Sequence, residues 1–206
     1  MKKYVLSTLI LLLLVVCGFS QTKKITVEDI WDNYMFYPRG VAGYTAMPVS
    51  DDYTVVKRAG IERHHFSDGS VAGIILSHSD LSDASKGRLT VAGLSDYAFS
   101  SDEKKIVLAF DQESIYRRSS LAHYYVYDID SKKIASISDT AHLLRFAELS
   151  KDGSKVLFAR DCDLYYQDLT TGKVTRITRD GNPNPILNGF ADWVYEEELD
   201  MSQAAS

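Results

Sequence analysis

Short apolar runs separated by polar turns make up most of the chain after residue 20. Short runs rich in aromatic residues are typical of β-strands, and the chain contains thirteen Tyr and eight Phe. One early segment differs, because Thr26 is followed by the acidic residues Glu28 and Asp29. A threonine cap with acids in the first turn predicts a short helix there. The pattern therefore predicts an all-β fold with a short N-terminal helix.

Two pairs of segments repeat one another along the chain. Residues 100–109 match residues 150–159 at an offset of fifty, and each is a polar turn that leads into an apolar strand. Residues 127–134 match residues 167–174 at an offset of forty, and each contains a strand, a turn with Asp or Gly, and a second strand. Repeats of roughly 40–50 residues built from several short strands are typical of β-propeller blades.

Two earlier segments, residues 53–75 and 81–94, match the repeats more weakly. We predict that they belong to earlier blades. The two repeat offsets differ by ten residues, so the first repeat carries about ten extra residues between its second and third strands, at or near residues 112–121. An insertion in one repeat maps to a loop on one face of the fold, often the face that binds a ligand.

The inserted segment holds two adjacent arginines, Arg117 and Arg118, beside Tyr116. A basic surface loop without a role is the alternative interpretation. Near the C-terminus, three consecutive carboxylates at residues 196–198 directly follow an aromatic-rich segment, residues 192–195. A run of glutamates is usually a solvated helix face. The large rings before this run favour a fixed anionic clamp instead, because solvated tails contain few aromatic residues.

Composition limits the class of protein. The chain has 206 residues, 45% of them hydrophobic and 25% charged, as expected for one globular domain. The net charge of −5 and the lack of a basic stripe argue against nucleic acid as a partner. Two cysteines provide no disulfide framework. The adjacent His64 and His65 with Asp68 are weak metal ligands, because neighbouring strand residues point to opposite faces. Neither a metal nor another cofactor is expected.

The first twenty residues are predicted to be a signal peptide. Lys2 and Lys3 precede an almost unbroken apolar run over residues 4–16, and small residues lie before Gln21, where cleavage is expected. The run is too short to span a bilayer comfortably, so no membrane span is expected after cleavage. A lipoprotein anchored through Cys17 is the weaker alternative, because a bulky valine precedes that cysteine. We therefore expect export to the periplasm or the extracellular space.

These motifs together resemble a known family. The glutamate segment, residues 188–198, is close to the glutamate motif of the dipeptidyl peptidase IV family, which belongs to the prolyl oligopeptidase family of serine peptidases. Residues 116–119, followed by Tyr124 and residues 127–128, are similar to the arginine loop of that family. The opening residues 25–30 fit its bacterial members. The resemblance is to the N-terminal β-propeller region, and it covers most of residues 24–199.

The resemblance implies a function for three residues. In the family, the last two glutamates of the motif bind the free amino group of a peptide substrate, and they match Glu197 and Glu198. The family arginine, which matches Arg117, contacts a substrate carbonyl oxygen and helps to order the glutamates. The implied function is selection of Xaa-Pro peptides by their free N-terminus in a serine-type dipeptidyl peptidase. The family closes a ring of eight blades, and we expect about four in this chain.

The chain also departs from the family pattern. The catalytic serine of the family lies in a G-x-S-x-G elbow of a C-terminal α/β-hydrolase domain, and no such motif occurs in this sequence. Catalytic residues are therefore not assigned here. Residues 200–206 are small and polar, unlike the family, so residues 21–199 are expected to be a truncated propeller that is inactive alone. Full-length members often form homodimers through the hydrolase domain. A non-catalytic propeller that binds peptides or partner proteins is the alternative.

Overall fold

The computed structural model describes residues 24–37 and 43–205. The chain divides into two compact units, residues 1–41 and 42–206. The first unit contains helix α1, Val27–Trp31, whose N-cap Thr26 accepts a hydrogen bond from the backbone N–H of Asp29 at 3.1 Å. The Asp29 carboxylate accepts one from the Thr26 N–H at 3.3 Å, which completes a capping box. The predicted N-terminal helix is confirmed.

The second unit contains three four-stranded antiparallel sheets, each with its strands in chain order. The first sheet consists of β1 Thr45–Ala46, β2 Asp52–Lys57, β3 Gly60–His65 and β4 Val71–Ser77. The second consists of β5 Leu94–Phe99, β6 Lys105–Ser114, β7 Ser120–Asp128 and β8 Lys133–Ser136. The third consists of β9 Ala147–Leu149, β10 Lys155–Arg160, β11 Asp163–Asp168 and β12 Val174–Arg176.

Each sheet is a four-stranded meander, which is the structure of a propeller blade. The predicted all-β, partial-propeller fold is therefore confirmed. Helix α2, His78–Ser85, and a 3₁₀ turn, Val91–Gly93, connect the first sheet to the second. Helix α3, Trp193–Leu199, follows the third sheet.

The repeated sequences form matching structures in the second and third sheets. Before β6 and β10, the hydroxyl of Ser100 or Ser150 accepts a hydrogen bond from the first N–H of the strand, at 2.9 and 3.0 Å respectively. Between the third and fourth strands, the carboxylates of Asp128 and Asp168 accept from the N–H three residues later, at 2.9 and 2.8 Å. The polar residues of the repeat are therefore the groups that close its turns.

The number of sheets differs from the prediction, since the described residues form three rather than about four. Residues 53–75 do lie in the first sheet, whereas residues 81–93 lie in α2, the 3₁₀ turn and the segment that joins them, and Leu94 begins β5. The helix begins here because the Ser77 hydroxyl caps it, accepting from the N–H of Asp80 at 3.0 Å. After β12, residues 177–192 form a long connection that contains an isolated bridge instead of a fourth sheet.

The hydrophobic core lies between successive sheets. Alternate residues of β6 point to opposite faces, so Ile106 and Leu108 pack with the first sheet and α2, whereas Val107 packs with Val156 and Phe158 of the third sheet. A third cluster joins the outer side of the third sheet to the connection before α3 and contains Phe146, Ala159 and Phe190. This last cluster fixes the segment from which the glutamate helix begins.

The predicted signal peptide stays a prediction. Residues 1–20, the predicted signal peptide, and Cys17 lie outside the described residues. Within residues 24–37 and 43–205, none of the helices is long and apolar enough to cross a membrane.

Candidate functional site

Helix α3 carries the three glutamates. Its N-cap Asp192 accepts a hydrogen bond from the N–H of Tyr195 at 3.1 Å, and it ends at Asp200, which adopts the left-handed conformation with φ 59°. The environment changes at each step along the run: Glu196 is fully buried, Glu197 is half-buried and Glu198 is exposed. The run is therefore not a uniformly solvated helix face.

Glu196 is the buried member of the run, with 0% exposure. Its Oε1 accepts hydrogen bonds from the backbone N–H groups of Arg118 and Ser119, at 3.0 and 2.8 Å. Its Oε2 lies 3.7 Å from Nη2 of Arg145. Burial alone would raise the pKa of the Glu196 carboxyl, but the contacts with Ser119 and Arg118 and the charge of Arg145 hold that pKa below its usual value. The side chain is therefore a carboxylate at neutral pH.

Arg145 provides the compensating charge beneath the helix. Its side chain is 13% exposed, and its guanidinium carbon lies 4.1 Å from the ring centroid of Phe190, in cation–π contact. Burial lowers the pKa of Arg145, and the neighbouring Glu196 carboxylate opposes that effect. The sequence reasoning missed Glu196, Arg145 and Phe190 as a group.

The arginine segment lies at the tip of the β6–β7 hairpin. The predicted insertion between the second and third strands is confirmed, but half of residues 112–121 extend the two strands, and the loop itself is residues 115–119. The loop closes on itself, since the N–H groups of Ile115 and Tyr116 both donate to the carbonyl of Ser119, at 2.9 and 3.3 Å. The extra residues therefore lengthen the hairpin until its tip reaches α3.

The two arginines contact different acids of the helix. Nε of Arg117 lies 3.6 Å from Oε2 of Glu197, and these side chains are 70% and 16% exposed. The Arg118 guanidinium pairs with Asp200, the residue that ends α3. Glu198 is exposed, and among the described residues neither arginine forms an ion pair with it. The structure thus brings Arg117 and Glu197 together and leaves Glu198 open to solvent beside them.

A cavity of about 400 Å³ adjoins the start of α3. Tyr116, Arg145, Cys162, Phe190 and Trp193 are among its lining residues, whereas the second and third glutamates of the run do not line it. Burial, followed by the nearby acidic residues, raises the pKa of the Cys162 thiol. The thiol is therefore protonated at neutral pH, which makes it a poor nucleophile.

The histidine pair has other partners. Nδ1 of His65 lies 2.7 Å from Oδ1 of Asp52, and the His64 ring stacks on Tyr53 with ring centroids 5.2 Å apart. Among the described residues, no group of three His, Cys, Asp or Glu side chains is arranged to hold a metal ion.

Three stacked four-stranded meanders, with a glutamate helix after the third, define the class of the molecule as a β-propeller-type protein. The family model described as the dipeptidyl peptidase IV N-terminal region matches residues 100–206, just over half of the chain. The chain belongs to this family. The matched range includes residues 200–206, which we expected to lie outside the family pattern, and Gln203 there forms an isolated bridge with Phe190.

Individual relatives agree with this placement. A probable dipeptidyl-aminopeptidase B of Sordaria macrospora is 33% identical over 109 residues, which cover 52% of this chain and 12% of that protein. Dipeptidyl peptidase 4 of Felis catus is 30% identical over 112 residues, covering 54% and 15%. The crystal structure of dipeptidyl peptidase 4 from Porphyromonas gingivalis superimposes with a TM-score of 0.74 at 30% identity, covering 88% of this chain and 25% of that one. The chain thus spans a small part of each relative's length.

Proposed function

We propose that this chain is the substrate-selecting propeller region of an exported, serine-type dipeptidyl peptidase that acts on Xaa-Pro peptides. In this proposal Glu197 and Glu198 bind the free amino group of the peptide, and Arg117 contacts a carbonyl oxygen of the substrate. The observation that supports it most is the 3.6 Å approach of Arg117 to Glu197, beside the solvent-facing Glu198. The signal-like sequence of residues 1–20 supports export.

The chemistry of the three side chains suits a peptide N-terminus. A protonated amine has three donors, and two neighbouring carboxylates can accept from it together. Arg117 offsets the repulsion between the two carboxylates while the site is empty. Each charge-assisted hydrogen bond contributes roughly 1.5–3 kcal/mol, which corresponds to about tenfold to a hundredfold in affinity. Anchoring the terminus in this way fixes which peptide bond reaches a nucleophile, as an exopeptidase requires.

Hydrolysis needs residues that these 206 do not supply. The sequence contains no G-x-S-x-G nucleophile elbow. We propose that the chain binds substrate but does not cleave it by itself. Release of product from an Xaa-Pro substrate by the purified chain would overturn this point.

A binding titration tests the selection of the free amine. We expect the chain to bind an Ala-Pro-Ala tripeptide amide, and to bind the N-acetylated form at least about tenfold more weakly, because acetylation removes the charge and two donors. Glu197→Gln and Glu198→Gln should each reduce this discrimination. The measurement is chemical-shift perturbation by NMR during titration with each peptide.

A matched control separates the site from general charge effects. Asp130→Asn removes a carboxylate from the exposed β7–β8 turn, outside the candidate site. It should leave the affinity for both peptides unchanged. Equal affinity of the wild-type chain for the free and the acetylated peptide contradicts the proposal, and it would favour a propeller that binds other partners.

A further inference from the structure

We propose that Glu196 is a positioning residue that holds the arginine loop, residues 115–119, against helix α3. It would do so through the loop backbone and not through the substrate. Its effect on peptide binding rests on the function proposed above, because it acts by placing Arg117 beside Glu197. Its effect on the loop itself does not depend on that function.

The first argument is geometric. One carboxylate oxygen of Glu196 accepts two consecutive backbone N–H groups, those of Arg118 and Ser119, at 3.0 and 2.8 Å. These amides directly follow Arg117 in the chain. Because these amides are fixed, the backbone next to Arg117 is already ordered. Only its side-chain torsions then lose conformational entropy when its guanidinium approaches Glu197.

The second argument concerns charge and burial. The Glu196 side chain is 0% exposed, and a buried carboxylate is stable only with donors and a compensating charge around it. The two loop amides supply the donors, and Nη2 of Arg145, 3.7 Å from Oε2, supplies the charge. Arg145 packs on Phe190 of the third core cluster. The contact therefore links the hairpin of the second sheet to the third sheet.

The third argument is that the remaining link between loop and helix is exposed. The contact between Arg117 and Glu197 joins a side chain that is 70% exposed to one that is 16% exposed. Exposed ion pairs contribute little to stability, because water screens their attraction and ordering two long side chains costs entropy. In the Arg118–Asp200 pair, the Asp200 side chain is also largely exposed. The buried contact of Glu196 is therefore the link with the strength to fix the loop.

Hydrogen exchange of the loop amides tests the placement directly. In Glu196→Ala we expect the Arg118 and Ser119 amides to exchange at least about tenfold faster than in the wild-type chain, because their acceptor is lost. Glu196→Gln keeps the length and one acceptor oxygen, so its increase should be smaller. The amide of Ala122, which donates to the carbonyl of Leu144 at 2.9 Å, is the internal reference.

A double-mutant cycle separates positioning from a general structural role. We expect Glu196→Ala to weaken binding of the free-amine tripeptide by about tenfold in the wild-type background and by less than about twofold in Arg117→Ala, because both changes remove the same contribution. Equal losses in the two backgrounds would show that Glu196 does not act through Arg117 and would overturn the proposal.

Asp52→Asn is the matched control for loss of a buried carboxylate. Asp52 lies in the first sheet, and its partners are Arg63 and His65. Its variant should leave both the exchange rates of the loop amides and the peptide affinity unchanged.

If Glu196→Ala fails to fold, the exchange rates in Glu196→Gln decide the question, and loop amides that exchange there as in the wild-type chain reject the inference. If the wild-type chain does not distinguish the free from the acetylated peptide, the proposed function fails, whereas the exchange data still decide the role of Glu196.

Discussion

Three adjacent glutamates of α3 have three different environments. Successive residues of a helix are rotated by about 100°, so a run of three cannot share one face. Glu196 points to the interior, where two loop amides donate to its carboxylate and Arg145 lies beside it. Glu197 is half-buried, and Glu198 is exposed to solvent. The buried residue is therefore suited to structure, whereas Glu197 contacts Arg117 and Glu198 faces solvent, as the proposed binding of a ligand requires.

The burial of Glu196 makes a pH dependence testable. Its pKa in the folded chain lies below the ordinary value of 4.5, so its stabilising contribution is complete above about pH 4.5 and is lost as the pH falls through the lower folded value. We expect Glu196→Gln to lower Tm markedly at pH 7 and by less at pH 4, as measured by circular dichroism. A difference in Tm that stays constant between these two pH values would contradict this assignment.

The special position of Glu196 was only partly predictable from sequence. Helix rotation alone shows that one of the three glutamates differs from the others. Which one is buried depends on Arg145, fifty-one residues earlier, and on the backbone of a loop in another sheet. No local pattern reports such a contact, so the sequence led to Glu197, Glu198 and Arg117 through the family resemblance instead.

At the scale of elements, polar residues at the ends of strands and helices decide where each element begins. The serine and aspartate turns of the repeats were predictable because the same residues recur at fixed offsets. Residues 81–94, which we predicted to belong to an earlier blade, form mainly α2 and the 3₁₀ turn between the first two sheets, and the cap at Ser77 accounts for the start of that helix. The insertion between β6 and β7 was also predictable from the repeat offsets. The sequence did not show that half of the inserted residues pair as extended strands, which only the register in the structure reveals.

The caps of two helices provide a matched pair of variants. Asp192 caps α3 and Ser77 caps α2, with hydrogen bonds of 3.1 and 3.0 Å. Replacing either with Ala should cost about 0.5–2 kcal/mol of stability, measured by urea unfolding. Only Asp192→Ala should also weaken binding of the free-amine tripeptide, because α3 carries the two proposed ligands of the amine. Equal weakening by Ser77→Ala would show that the loss comes from general destabilisation.

At the scale of the whole molecule, three sheets stack so that both faces of β6 are covered. The blade architecture followed from repeats in the sequence, and the described residues form three sheets where about four blades were expected. The lengthened hairpin of the second sheet and the helix after the third sheet meet at one place because the sheets are neighbours. The candidate site is therefore a product of sheet stacking, and its residues are far apart in sequence.

The most direct test of the central claim is a crystal structure of the chain with a bound Ala-Pro-Ala tripeptide amide. The account predicts the peptide amine within about 3.2 Å of carboxylate oxygens of both Glu197 and Glu198, with the Arg117 guanidinium beside a peptide carbonyl. A peptide whose amine lies elsewhere, for example in the cavity lined by Tyr116 and Cys162, would contradict it.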